Sequence, residues 1–164
     1  MIKITTNKGP IEVELNPELA PKSCENFLQY VESGHYNNTV FHRCIPGFMI
    51  QGGGMDENMQ QKATKPTIEN EAKNGLKNLN GSLAMARTGD PHSATSQFFI
   101  NVNDNDFLNH TAETPQGWGY CVFAKVTSGM DIVMEISMTP TGNRGGHENV
   151  PLEPVVIEKI EQLD

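Results

Sequence analysis

The chain has 164 residues, 37% of them hydrophobic, and a mean hydropathy of −0.45, as expected of one soluble domain, residues 1–164, with room for a core. A formal net charge of −8 and a pI near 5.1 leave no general basic face for nucleic acid or an anionic membrane. No apolar run suits a membrane span or a signal peptide, and the odd, scattered Cys24, Cys44 and Cys121 read as free thiols of a reduced, cytoplasmic protein.

Ile2–Thr6 and Ile11–Leu15 read as strands joined by the hairpin signal Asn7-Lys8-Gly9-Pro10. Pro21 suits the first turn of a helix. Cys24, Phe27, Leu28 and Val31 then recur at helical spacing, and Gly34 stops the pattern. Phe41 to Ile45 alternates, which predicts Phe41, Arg43 and Ile45 on one face of a strand and His42 and Cys44 on the other. Pro46-Gly47 is a turn dipeptide, and Phe48 to Gln51 resumes an extended run. Gly52 to Gly81 reads as a long polar loop, of the kind that is functional or mobile in compact domains. Ser82–Ala86 and Gln97–Ile100 are short strands, with Phe98 and Ile100 facing away from Gln97 and Phe99. Phe107-Leu108 lies in a polar loop, Tyr120–Val126 is a strand, Met130–Met138 a helix and Val155–Ile160 a closing strand. Seven or eight short strands and two helices without a βαβ rhythm predict a mainly β fold, a closed antiparallel barrel.

The chemistry-bearing residue types form few constellations. Gly52-Gly53-Gly54 lacks the Lys-[Ser/Thr] of a phosphate loop. His42 and Cys44 lack two further ligands for a metal. Ser93 and Ser96 have no neighbouring His and Asp to make a nucleophile. Asp104 and Asp106 read as solvated loop acids. No metal and no cofactor is expected. What stands out is an apolar and hydrogen-bonding set, Arg43, Phe48, Met49, Gln51, Gln97, Phe99 and Phe107, suited to a small-molecule or peptide pocket. Arg43 has no carboxylate within seven residues in sequence and is always charged.

FHRCIPGFMIQGGG (41–54), SLAMARTGDPHSATSQFFIN (82–101) and GYCVFAKVTSGMDIV (119–133) resemble the cyclophilins, the peptidyl-prolyl cis-trans isomerases, over nearly the whole chain, and in detail their cytosolic bacterial branch. The resemblance implies an eight-stranded antiparallel barrel capped by two α-helices, with the site on its outer wall. It implies that Arg43 is the catalytic arginine and that Phe48, Met49, Phe99 and Leu108 take the proline ring. Gln51 would help hold Arg43 and the substrate backbone, Ala86 and Arg87 would offer backbone contacts to the residue before proline, and Gln97 would be a second polar wall residue. Three positions depart from the best-known eukaryotic pattern: Arg87 stands for an asparagine, Phe107 for a tryptophan and Tyr120 for a histidine. Phe48 and Met49 cannot both face one side of a regular strand, so a bend or bulge is expected after Pro46-Gly47.

The expected partners are proline-containing peptides and folding protein clients, cyclosporin is expected to bind weakly, and a monomer is expected. Two rivals come from other classes: a proline-peptide binding module without turnover, and a barrel carrying a ligand inside. An unpaired arginine beside the ring pocket speaks against the first. Phe41, Leu83, Phe98, Ile100 and Val122 are expected to fill the interior and so speak against the second.

Overall fold

The computed structural model of the protein describes residues 1–163. Among these residues the regular structure comprises ten strands and two α-helices. The strands are β1 (Ile2–Thr6), β2 (Gly9–Leu15), β3 (Thr39–Ile45), β4 (Met49–Asp56), β5 (Ser82–Met85), β6 (Phe98–Asn101), β7 (Val122–Ser128), β8 (Thr141–Arg144), β9 (His147–Pro151) and β10 (Val156–Gln162); the helices are α1 (Pro21–Glu32) and α2 (Met130–Ser137). Eight strands close into an antiparallel barrel in the order β1-β10-β3-β4-β6-β5-β7-β2, with β2 returning to β1. The mainly β barrel with two helices is thus the fold observed.

Period two sorts the barrel's side chains. Ile2, Ile4, Ile11, Val13, Ile50, Leu83, Met85, Phe98, Ile100 and Phe123 point into one apolar core. α1 adds Cys24, Phe27 and Tyr30 and α2 adds Val133 and Ile136, so both amphipathic helices bury their stripes in that core. Pro21 sits in the first turn of α1, where no amide is needed. The next two amides are capped from a distant loop: Glu71 accepts from Lys22 N at 3.2 Å and Ser23 N at 2.8 Å. Large side chains rather than a ligand cavity occupy the interior, with Phe27, Tyr36, Phe41, Phe98 and Phe123 ring against ring.

Several expectations are corrected. Gly52-Gly53-Gly54 opens no loop; it lies inside β4. A Cβ on Gly52 would stand 2.6 Å from the Val40 carbonyl oxygen, and Gly53 has φ +91°, a conformation open to glycine at little cost. The run therefore lets β4 bulge against β3, and the glycines hide strand character by having no side chain to alternate. β3 carries its own irregularity between Phe41 and Arg43. Phe41 and Cys44 consequently both face the core, whereas Arg43 is exposed and Ile45 joins the outer wall; the expected grouping of Phe41 with Arg43, and of His42 with Cys44, does not hold. Val122 also belongs to the outer wall, not the interior. Tyr120 precedes β7 and is not part of a strand. The β8–β9 hairpin was not expected; it forms a separate two-stranded sheet, and His147 in β9 meets His42 in β3 at 6.0 Å between ring centroids.

Candidate active site

The outer faces of β4, β5, β6 and β7 carry a second apolar cluster, separate from the core. Met49, Ala84, Ala86, Phe99, Leu108 and Val122 form it, with Ile45, Phe48, Leu76 and Tyr120 packed at its margin. Strand register explains the set. Gln51 pairs with Phe99 across β4–β6, and Phe99 with Ala84 across β6–β5, so these three side chains stand in a row on one face. Small alanines between large neighbours leave a depression.

That hollow measures about 140 Å³ and is lined by Arg43, Phe48, Met49, Gln51, Ala86, Arg87, Phe99, Leu108 and Tyr120. An apolar cavity of roughly 150 Å³ accommodates a benzene-sized ring. A larger hollow of about 320 Å³ lies elsewhere, between Leu15, Leu76, Leu79 and two lysines. Size therefore does not single out the site; aromatic and polar groups converging on one small apolar floor do.

Phe48 and Met49 share the hollow because only Met49 is in the strand. Phe48 closes a turn in which its amide donates to Ile45 O at 3.1 Å, with Pro46 at the second position and Gly47 at the third with φ +72°. The expected bend after Pro46-Gly47 is this turn. Phe107 and Gln97, by contrast, do not line the hollow. Phe107 is 74% exposed and stacks on Phe48 at 5.7 Å. Gln97 stands behind Gln51 and accepts its Nε2 at 2.9 Å through Oε1. Gln51 faces Arg43 across β3–β4, yet its side-chain amide is engaged by Gln97 and not by the guanidinium. The ion pairs among the described residues involve only Lys22, Lys73 and Lys159, so Arg43 reaches the rim without a carboxylate. Arg87 is pinned: Nε donates to Gly119 O at 3.1 Å, Nη1 to Thr88 O at 2.8 Å, and the guanidinium lies 4.5 Å from the Tyr120 ring centre.

Behind the hollow runs a buried asparagine network that the sequence reading missed. Asn105 donates to the carbonyl of Phe48 at 2.9 Å and to Asn101 Oδ1 at 2.7 Å. Asn101 donates to Asn78 Oδ1 at 3.1 Å and Ser82 Oγ at 2.9 Å. Asn78 donates to the carbonyls of Leu108 at 3.2 Å and Tyr120 at 3.3 Å. Three backbone segments that line the hollow are thereby tied to one another. Asparagine carries two donors and an acceptor on one short side chain, so it can bridge carbonyls as no apolar residue can.

Comparison with known proteins bears directly on this site. The family model for cyclophilin type peptidyl-prolyl cis-trans isomerases matches residues 1–162. The chain belongs to the cyclophilins. It is 59% identical over 162 residues to peptidyl-prolyl cis-trans isomerase cyp18 of Streptomyces antibioticus, covering 99% of this chain and 98% of that one. It is 58% identical to peptidyl-prolyl cis-trans isomerase B of Escherichia coli (strain K12), covering 98% of each. Among solved structures, a Cryptosporidium parvum cyclophilin crystallised in the presence of the dipeptide Ala-Pro has a TM-score of 0.79 at 30% identity, over 97% of this chain and 96% of that one. This cyclophilin is a peptidyl-prolyl cis-trans isomerase, with relatives of full length on the bacterial side. Its hollow on the outer wall presents two guanidinium groups, Arg43 and Arg87, without carboxylate partners among the described residues, above an apolar floor, and its lining holds no cysteine, serine or histidine that could act as a nucleophile.

Proposed function

We propose that this cyclophilin binds proline-containing segments with the ring on the floor of Phe99, Met49, Leu108 and Phe48, and that Arg43 catalyses rotation by donating to the prolyl nitrogen. Substrates would be X-Pro bonds in flexible or unfolded protein chains, so that the enzyme assists folding. The observation that carries this reading is the arginine without a carboxylate at the edge of a ring-sized apolar hollow.

The chemistry asks for little more. Amide resonance raises a rotation barrier of roughly 18–20 kcal/mol, and the uncatalysed step takes tens to hundreds of seconds. As the bond twists, the nitrogen becomes pyramidal and the lone pair that the planar amide delocalises into the carbonyl becomes localised on it. A guanidinium N–H can hydrogen-bond that lone pair, and the planar ground state offers no such acceptor. The interaction therefore lowers the barrier rather than merely tightening binding. Acceleration from minutes to milliseconds is about 10⁴- to 10⁵-fold, or ~5–7 kcal/mol, within reach of one charge-assisted bond beside an apolar wall together with orientation of the ring. The relative crystallised with Ala-Pro supports a prolyl dipeptide as the recognised unit.

NMR exchange on an Ala-Ala-Pro-Phe peptide tests the proposal. Arg43→Ala is expected to lower turnover by orders of magnitude while peptide affinity changes little. Arg43→Lys should restore only part, since an ammonium lacks the planar fork. Near-normal exchange with Arg43→Ala would overturn the mechanism.

A further inference from the structure

We propose that Arg87 makes this isomerase favour prolyl bonds preceded by an acidic residue. The inference rests on the placement of the proline ring proposed above. Two guanidinium groups, Arg43 and Arg87, line the hollow, and none of its other lining residues is acidic. This local cationic site sits in a chain of net charge −8. Neither arginine belongs to an ion pair among the described residues. Asp90, the acid nearest to Arg87 in sequence, turns its Oδ1 to the His92 amide at 2.9 Å instead.

Arg87 is built to hold its charge in place. Its two backbone acceptors and the Tyr120 face fix one edge and one face of the guanidinium, and the remaining N–H donors have no partner among the described residues. Much of the entropy cost of ordering a long side chain is therefore met before substrate arrives. The backbone beside it is open as well. The Ala86 amide donates to Gln97 O at 3.0 Å, but no backbone donor among the described residues uses the Ala86 carbonyl, and the Arg87 amide finds no backbone acceptor. An extended segment entering the hollow can pair with these two groups, which brings the side chain flanking the proline under the Arg87 guanidinium. A carboxylate there meets a preformed donor fork. The same carboxylate is repelled by the whole molecule at long range, so the preference must be a short-range effect of this one contact.

The experiment compares kcat/KM by NMR exchange for Ala-Glu-Pro-Phe and Ala-Gln-Pro-Phe in one preparation. Because the ratio is taken within a single protein, a variant that is partly unfolded still reports it. The expected Glu/Gln ratio is about two- to fivefold, the size of a solvent-accessible ion pair. It should fall to about one with Arg87→Gln, retain part with Arg87→Lys, and shrink as salt is raised to about 1 M, where the Debye length is roughly 3 Å. A ratio near one in the unmodified protein, or a ratio unaffected by Arg87→Gln, would overturn the proposal. Failure of the Arg43 mechanism would appear separately, as undiminished turnover of Ala-Ala-Pro-Phe by Arg43→Ala.

Discussion

Phe107 projects from the short turn before Leu108, mostly in solvent and stacked on Phe48. It offers a hydrophobic face to whatever fills the groove but no hydrogen-bond donor. An indole in its place would add an N–H and a wider face. A cyclosporin carbonyl that meets no donor loses about 1–3 kcal/mol, roughly ten- to a hundredfold in affinity. Weak cyclosporin inhibition is expected, and Phe107→Trp should lower the inhibition constant more than it alters turnover, measured for both proteins on one peptide. His42, the neighbour of Arg43, makes a different prediction. It is 4% exposed, its Nδ1 lacks a partner, and burial first, then the charges of His147 and Arg43, lower its pKa to about 4. The folded state thus disfavours the imidazolium, whereas the unfolded chain takes up the proton near 6.5. Stability from this residue is complete above that pH and is lost as pH falls from 6.5 through about 4. Between pH 7 and 5 the loss should be about 2 kcal/mol. Urea unfolding of the natural protein and of His42→Leu at both pH values checks the sign: the natural protein should lose that much more than the variant.

At the scale of elements, the asparagine network joins the β4 turn, the Leu108 segment and the approach to β7. Asn105→Ala leaves the buried Asn101 Oδ1 without its donor, a cost of about 1–3 kcal/mol in stability, and leaves the Phe48 carbonyl with the Val102 amide alone. Because Phe48 lines the hollow, KM for a prolyl peptide should rise as well. Urea unfolding and steady-state kinetics would measure the two effects, and an unaltered KM would show that the turn holds its position without Asn105. None of this network was readable from the chain. Buried asparagines look like loop asparagines, and Asn78 meets Asn101 across 23 positions of sequence. The hollow was more legible: alternation separated Phe99 from Phe98 and Ile100, and the Pro46-Gly47 signal announced the turn that delivers Phe48. The glycine run in β4 defeated pattern reading because a residue with no side chain has no face. The β8–β9 hairpin escaped for a related reason, since its residues are mostly outside the core and carry little apolar periodicity. The assignment of roles to Arg43 and Gln51 came from the family resemblance, not from spacing.

At the scale of the molecule, β1 pairs with β10, so Ile2 stands opposite Gln162. The ladder closes only when strands from opposite ends of the chain meet, which places this fold among the slower, non-local topologies. Closure has a further consequence under the proposed function, in which the substrates are extended polypeptide segments. An open sheet offers such a segment a row of unpaired amides and carbonyls and can capture it as an extra strand. Each of the eight barrel strands here has a neighbour on both sides. A passing chain can touch the wall through side chains and through the short free backbone stretch at Ala86–Arg87, and the ladder is thin where β10 meets β3 through Val156 and Ile157 alone. Under the proposed function, a closed barrel gives an extended client chain less edge on which to template β-aggregation than an open sheet would, and release after each rotation would have only a small, local contact to break.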